Sequence, residues 1–174
     1  TLNIMSSNVE RAIKSSSLKA LFITNVLGLS GDINNIKDIC NKNNIMLFED
    51  NCESLGSTLP SGKLGNFGVM SSFSFFVAHH MSTIEGGMVC TSDKELAQML
   101  RIVRANGWDR NLNRTKENQR SFNFINSGFN LRPLDISAAI GMNQFKRLNK
   151  FIKIRNDNKN KIVNSLKNAK EWKN

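Results

Sequence analysis

The stretch "ALFITNVLGLSGDINNIKDICNKNNIMLFED", residues 20–50, carries the pattern that decides the fold. Residues 20–28 form a β-branched, apolar run between polar borders, which predicts a buried strand. In the segment that follows, Ile33, Ile36 and Cys40 fall on one face at helical spacing, with Asp32 at its start, so a helix is predicted there. Residues 45–50 repeat the strand signal. Strand, helix and strand at this spacing make a βαβ unit, which implies parallel pairing, a right-handed crossover and an α/β fold.

The pattern continues on both sides. Upstream, Asn8 is placed to cap a short helix through Lys14. Downstream, residues 59–68 are turn chemistry, and residues 69–76 and 86–91 predict two more strands. Ser92 and Glu95 form an S-x-x-E capping box opening a helix through Arg104. Residues 106–126 are polar and irregular. Helices are expected over 133–148, with Pro133 near the first turn, and over 151–170. No internal repeat is present. Ligands of open parallel sheets sit beyond the carboxyl ends of the strands. That rule singles out Asn25, the pair Asp50 and Glu53, and the adjacent His79 and His80, the chain's two histidines.

At 174 residues and 40% apolar content the chain suits one globular domain. It holds no run of about 18 apolar residues, so no membrane span is expected. It opens on "TLNIMSSNVE", without an initiator Met or signal peptide, and ends on "KNAKEWKN". It therefore reads as a fragment of something longer, and this segment alone is expected to be inactive. The net charge is +10, of which +8 lies in residues 144–174: ten Lys/Arg against Asp157 and Glu171. In that stretch Phe145, Leu148, Ile152, Ile162 and Leu166 recur at roughly helical spacing, which makes the lysines a solvated outer face. With no aromatic stacking platform beside them, nucleic acid is not the expected partner. Cys40, Cys52 and Cys90 form no CxxC pair, which fits a reducing, cytoplasmic setting.

Two chemistries fail on spacing. "GSTLPSGKLG", residues 56–65, has five residues between Gly56 and Gly62 where a phosphate loop needs four, and Leu64 where Ser or Thr would hold magnesium. His79, His80 and Glu85 could offer metal ligands, but neighbouring residues on extended chain point to opposite faces and neither histidine has an i, i+4 partner, so no metal is expected. A buried Asp50 at a strand end needs a cation, and a protonated heterocycle would serve.

Taken together, "FEDNCESLGS…GNFG…SFSFF…HH…EGGMVCTSD" and "SGFNLRPLDISAAIGMNQFKRLNKFIKIRN" resemble the DegT/StrS-type sugar-nucleotide aminotransferases, across almost the entire chain. The resemblance implies a three-layer α/β/α fold of fold-type I pyridoxal-phosphate enzymes. Residues 1–148 would be the cofactor-binding large-domain portion, and 149–174 a connecting helix towards a small domain. It also implies roles. Asp50 would pair with the pyridine nitrogen of pyridoxal 5′-phosphate. Cys52 would lie beside the ring. Glu53 would stand near the ring hydroxyl, where relatives usually have Gln. Ser74 would bind the cofactor phosphate, and Asn130 the phosphate in the neighbouring subunit of a homodimer.

The departure lies five residues after Ser74. The aminotransferases have there the lysine that holds the cofactor covalently; this chain has His79, with the spacing to Glu85–Gly86–Gly87 kept. That substitution resembles the family's 3-dehydratase branch. Its members use pyridoxamine 5′-phosphate to remove the C3 hydroxyl of a nucleotide-linked 4-keto-6-deoxy sugar, reloading the amine from a donor such as glutamate. His79 would then be the catalytic proton acceptor. The cluster-bearing kind in that branch shows C-x57-C-x-C-x7-C; begun at Cys52, the pattern lands on Arg110, Leu112 and Arg120, so no iron–sulfur cluster is expected. Two alternatives stay open: an ordinary aminotransferase with a displaced lysine, Lys63 being the nearest upstream candidate, and a non-catalytic relative.

Overall fold

The computed structural model describes residues 2–109 and 122–168. Helix α1 (Ser6–Ser15) leads into β1 (Ala20–Thr24), α2 (Ile33–Lys42) and β2 (Met46–Asp50). The turn region is a tight hairpin of β3 (Thr58–Leu59) and β4 (Gly62–Lys63). Strands β5 (Met70–Ser74) and β6 (Gly87–Cys90) follow, then α3 (Lys94–Val103), α4 (Asp135–Phe145) and α5 (Leu148–Asn168). Residues 110–121 of the expected irregular stretch lie outside the described residues.

The main sheet has the order β1-β2-β5-β6. Strands β1, β2 and β5 are parallel, as the βαβ pattern predicts, while β6 returns antiparallel to β5. The β5–β6 connection contains no helix that could carry a parallel crossover, and an antiparallel return needs none. The first strand ends earlier than its apolar run, because Leu27 (φ 57°) and Gly28 (φ 74°) turn left-handed and close a 3-10 turn over Val26–Gly28.

Side-chain alternation divides the sheet into two faces. Ile23 and Leu47 point to the face covered by α1 and α2, where they pack with Val9, Ile33, Ile36, Cys40, Leu64 and Phe67. Each such aliphatic side chain contributes about 1.5–3 kcal/mol by leaving water. On the other face Phe22, Met46 and Val89 are 65%, 50% and 51% exposed. Both strands expected to be buried are therefore half-buried: one helical layer covers the sheet among the described residues. Register places Thr24, Asp50 and Ser72 side by side on this open face, with Ser74 one step further along β5.

The helix ends differ from expectation in detail. Asn8 sits inside α1 and its Oδ1 accepts from the Met5 N–H at 3.0 Å, so it closes the helix start from within. Asp32 begins α2 without capping it; its carboxylate accepts from the Ser6 N–H at 2.7 Å and from the Ser6 hydroxyl, tying α1 to α2. The cap of α3 is Asp93 rather than Ser92: its Oδ1 accepts from the N–H groups of Glu95 (2.8 Å) and Leu96 (3.0 Å). Asp93→Ala should lower stability by about 1 kcal/mol in chemical denaturation, and Ser92→Ala by much less. The reverse order would return the cap to Ser92.

Helix α5 crosses the 148/149 division, beginning at Leu148, which is buried. Its expected apolar face is covered only near that start: Ile162 and Leu166 are 61% and 47% exposed, and Phe145 at the end of α4 is 67% exposed. Lys153 pairs outward with Asp157 at 2.9 Å. No helix among the described residues is long and apolar enough to cross a membrane.

Candidate active site

Because β1, β2 and β5 run parallel, their carboxyl ends open on one edge and bring together Asn25, residues 50–54 and the loop after Ser74. Asp50 is half-buried there. Its Oδ1 accepts from the Cys52 N–H at 3.0 Å and from the Ser72 hydroxyl at 3.2 Å. Its Oδ2 meets only the Cys52 thiol, at 3.7 Å, and no Lys, Arg or His among the described residues forms an ion pair with it. Burial, then the neighbouring Asp50 and Glu53 carboxylates, push the Cys52 thiol up, so it stays neutral and unreactive. Glu53 is already engaged: its Oε2 accepts from the N–H of Leu27 at 2.7 Å.

At the end of β5, the Ser74 Oγ accepts from the Phe76 N–H at 3.2 Å, which leaves its hydroxyl proton to donate. The loop that follows is closed at its base by Phe75 N–H to Gly86 C=O (2.9 Å) and Thr83 N–H to Phe75 C=O (2.8 Å). Inside it, the His79 N–H donates to Phe76 C=O at 3.0 Å, and the two rings meet edge to face at 6.1 Å. Ile84 in the same loop has φ 73°, a left-handed conformation that costs a β-branched residue on the order of 1–3 kcal/mol. Burial first, then the charges of Arg155 and His79, push His80 down against the opposing pull of Glu53, so all four side chains share one electrostatic neighbourhood.

Asn130 stands apart. It is exposed and joined by a backbone bridge to Ala105, and among the described residues it forms no hydrogen bond with Asp50, Ser74 or His79. Lys63 is exposed on the β4 hairpin strand. No group of three or more His, Cys, Asp or Glu side chains that could hold a metal ion occurs among the described residues.

Beneath this edge lies a network that motif reading passed over. Glu49 is fully buried. Its Oε1 accepts from the N–H groups of Phe67 (2.7 Å) and Gly68 (2.8 Å), and its Oε2 from Gly65 N–H (2.8 Å) and more distantly Asn25 Nδ2 (3.4 Å). Asn25 Nδ2 also donates to Asn51 Oδ1 at 2.8 Å, and the Ser54 hydroxyl donates to Asn25 C=O. The "GNFG" motif, residues 65–68, is thus a cradle of backbone donors for one carboxylate. A Cβ on Gly68 would stand 2.5 Å from the Leu47 carbonyl, and Gly65 sits at φ 99°, so both glycines are needed for that close approach. The available signal was an acidic residue at an inward-facing position of β2.

The model of the DegT/DnrJ/EryC1/StrS aminotransferase family matches residues 1–173. The chain belongs to this family. GDP-4-keto-6-deoxy-D-mannose 3-dehydratase of Escherichia coli O55:H7 is 39% identical over 178 residues, covering 96% of this chain and 45% of that protein. The solved E. coli GDP-4-keto-6-deoxy-D-mannose-3-dehydratase with bound hydrated PLP superposes with a TM-score of 0.89 at 38% identity, over 97% of this chain and 45% of the other. A GDP-4-keto-6-deoxymannose-3-dehydratase with a trapped PLP–glutamate geminal diamine gives 0.90 at 37%, over 98% and 46%. The chain has the α/β fold of this family, as its motifs implied, and spans less than half the length of these relatives.

Proposed function

We propose that this chain is the large-domain portion of a pyridoxamine-phosphate-dependent 3-dehydratase acting on a nucleotide-linked 4-keto-6-deoxy sugar. The observation that carries the reading is His79. It sits in the loop beyond β5, five residues after Ser74, where the family's aminotransferases have their lysine.

The residues present fit the cofactor. Asp50 faces the open side of the sheet with an oxygen that has no cationic partner among the described residues, as a protonated pyridine nitrogen requires. Ser74, two residues along the same face from Ser72, keeps a hydroxyl proton for a phosphate. Cys52, neutral and small, suits the ring's edge. Glu53 would lie near the ring hydroxyl while held by Leu27. Bound there, the cofactor supplies an amine for the sugar ketone and a conjugated ring that accepts electrons. Asp50 keeps the proton on the ring nitrogen. His79 moves a proton through a ring nitrogen and cannot hold the cofactor by a lasting bond, which leaves the amine form free to act.

A nucleotide-linked sugar as substrate and glutamate as amino donor agree with the GDP-sugar dehydratases that the chain resembles and with the PLP–glutamate adduct trapped in one of them. In this reading two copies assemble as a homodimer in which Asn130 reaches the partner's phosphate site, residues 149–174 lead towards a small domain, and the three unpaired cysteines suit the cytoplasm. The test is the full-length protein with glutamate and a panel of GDP- and CDP-linked 4-keto-6-deoxy sugars. Release of 2-oxoglutarate together with a C3-deoxygenated sugar is expected; an aminated sugar would overturn the reading.

A further inference from the structure

Beside His79 lies a cavity of about 380 Å³, walled on one side by the β5–β6 loop and on the other by α4 and α5. Its lining is rich in hydrogen-bond donors. Arg155 of α5 forms no ion pair among the described residues. His80 Nδ1 is buried without a hydrogen-bond partner. Ser82 Oγ accepts from the Ile84 N–H at 3.1 Å, so its hydroxyl proton points elsewhere. The side-chain amide of Gln144 completes the polar wall, and Phe151 supplies an apolar one. No carboxylate lines the space.

We propose that this cavity is an oxyanion subsite, in which Arg155, Ser82 and Gln144 receive a carboxylate or phosphate group of a molecule whose reacting end lies at His79. A guanidinium offers a planar fork that matches either anion, and a hydroxyl and a side-chain amide N–H add neutral donors beside it. Burial first, then the Arg155 charge, push His80 down, so Arg155 is the cation that this wall offers to an anion. Glu53 acts on His80 from outside the lining and does not compete for the anion. Such an anion has two sources in the proposed reaction: the carboxylate of the amino donor, or the phosphate of the nucleotide sugar. The subsite takes its meaning from the reading of His79 as the reacting centre, but its existence is tested without turnover.

The measurement is calorimetric binding of glutarate, which lacks an amine and cannot react, and of GDP and inorganic phosphate, to the full-length protein and its Arg155→Gln and Arg155→Lys variants. Arg155 is exposed on its helix, so the variants should fold, and circular dichroism checks this. Arg155→Gln should weaken at least one probe by tenfold or more, with partial recovery in Arg155→Lys. Loss confined to glutarate assigns the donor carboxylate, loss confined to GDP and phosphate assigns the nucleotide, and loss of all three a shared site. Unchanged affinity for all three, or no binding of any by the parent protein, overturns the subsite. A wrong reaction class would instead show as an aminated product with these binding results intact.

Discussion

Replacing His79 with asparagine in the full-length protein should lower turnover by roughly 10²–10⁴-fold while leaving cofactor binding nearly unchanged, since a positioned proton carrier contributes about that much and an amide keeps the polarity but cannot carry the proton. The environment argues for this split. Asp50 and Ser74, proposed to hold the cofactor, sit on strands β2 and β5, whereas His79 sits on the loop tied off by Phe75, Thr83 and Gly86. A substitution at the loop's tip leaves the hydrogen bonds at its base in place. The second arm is His79→Lys. Treated with pyridoxal phosphate and borohydride, that variant should carry a covalent pyridoxyl label at residue 79, and the parent protein should carry none at any lysine. A parent protein labelled at Lys63 or elsewhere in the site would favour the aminotransferase reading. Full turnover in His79→Asn would remove the histidine from the chemistry altogether.

How much of this was legible without coordinates depended on how local the signal was. The βαβ unit needed only periodicity, but both apolar runs read as buried strands, and a continuous apolar run does not say that the face carrying Phe22 and Met46 stays open. Caps were less legible, because several adjacent polar residues compete: Ser92 matched the box, yet Asp93 has the geometry that reaches Glu95 and Leu96. His79 was legible as a substitution within a motif whose spacing was intact. Arg155 was not. In sequence it belongs to a run of basic residues that periodicity assigns to solvent, and only the packing of α5 beside the β5–β6 loop turns it towards His80. Glu49 was hidden by its neighbour, since Asp50 in the same "FED" carries the more familiar chemistry.

Glu49→Gln is expected to be the most destabilising conservative change in the chain, at about 2–5 kcal/mol. The carboxylate accepts from three backbone N–H groups at 2.7–2.8 Å, with Asn25 Nδ2 as a weaker fourth donor. A glutamine side chain has one acceptor oxygen. Placed where Oε1 is, that oxygen satisfies Phe67 and Gly68 but turns an NH₂ group against the Gly65 N–H and Asn25; rotated, it satisfies Gly65 and leaves Phe67 and Gly68 facing donors. Either way at least one buried N–H loses its partner, and the charge that strengthened the remaining bonds is gone. Asn25 would then lose its anchor on the Glu49 side, and with it the contact that orients Asn51 next to Asp50. Two readouts separate this anchoring from a general weakening. The urea midpoint of the full-length protein should fall, and amide exchange at Gly65, Phe67 and Gly68 should accelerate beyond that of α2, whose own hydrogen bonds are untouched. Glu49→Asp should not rescue, because one methylene less brings the carboxylate short of the loop. If Glu49→Gln unfolded at the parent's midpoint with exchange at residues 65–68 unchanged, the cradle would be incidental. The tie between the "GNFG" loop and the Asp50 strand would then have to rest on the packing of Phe67 against the core.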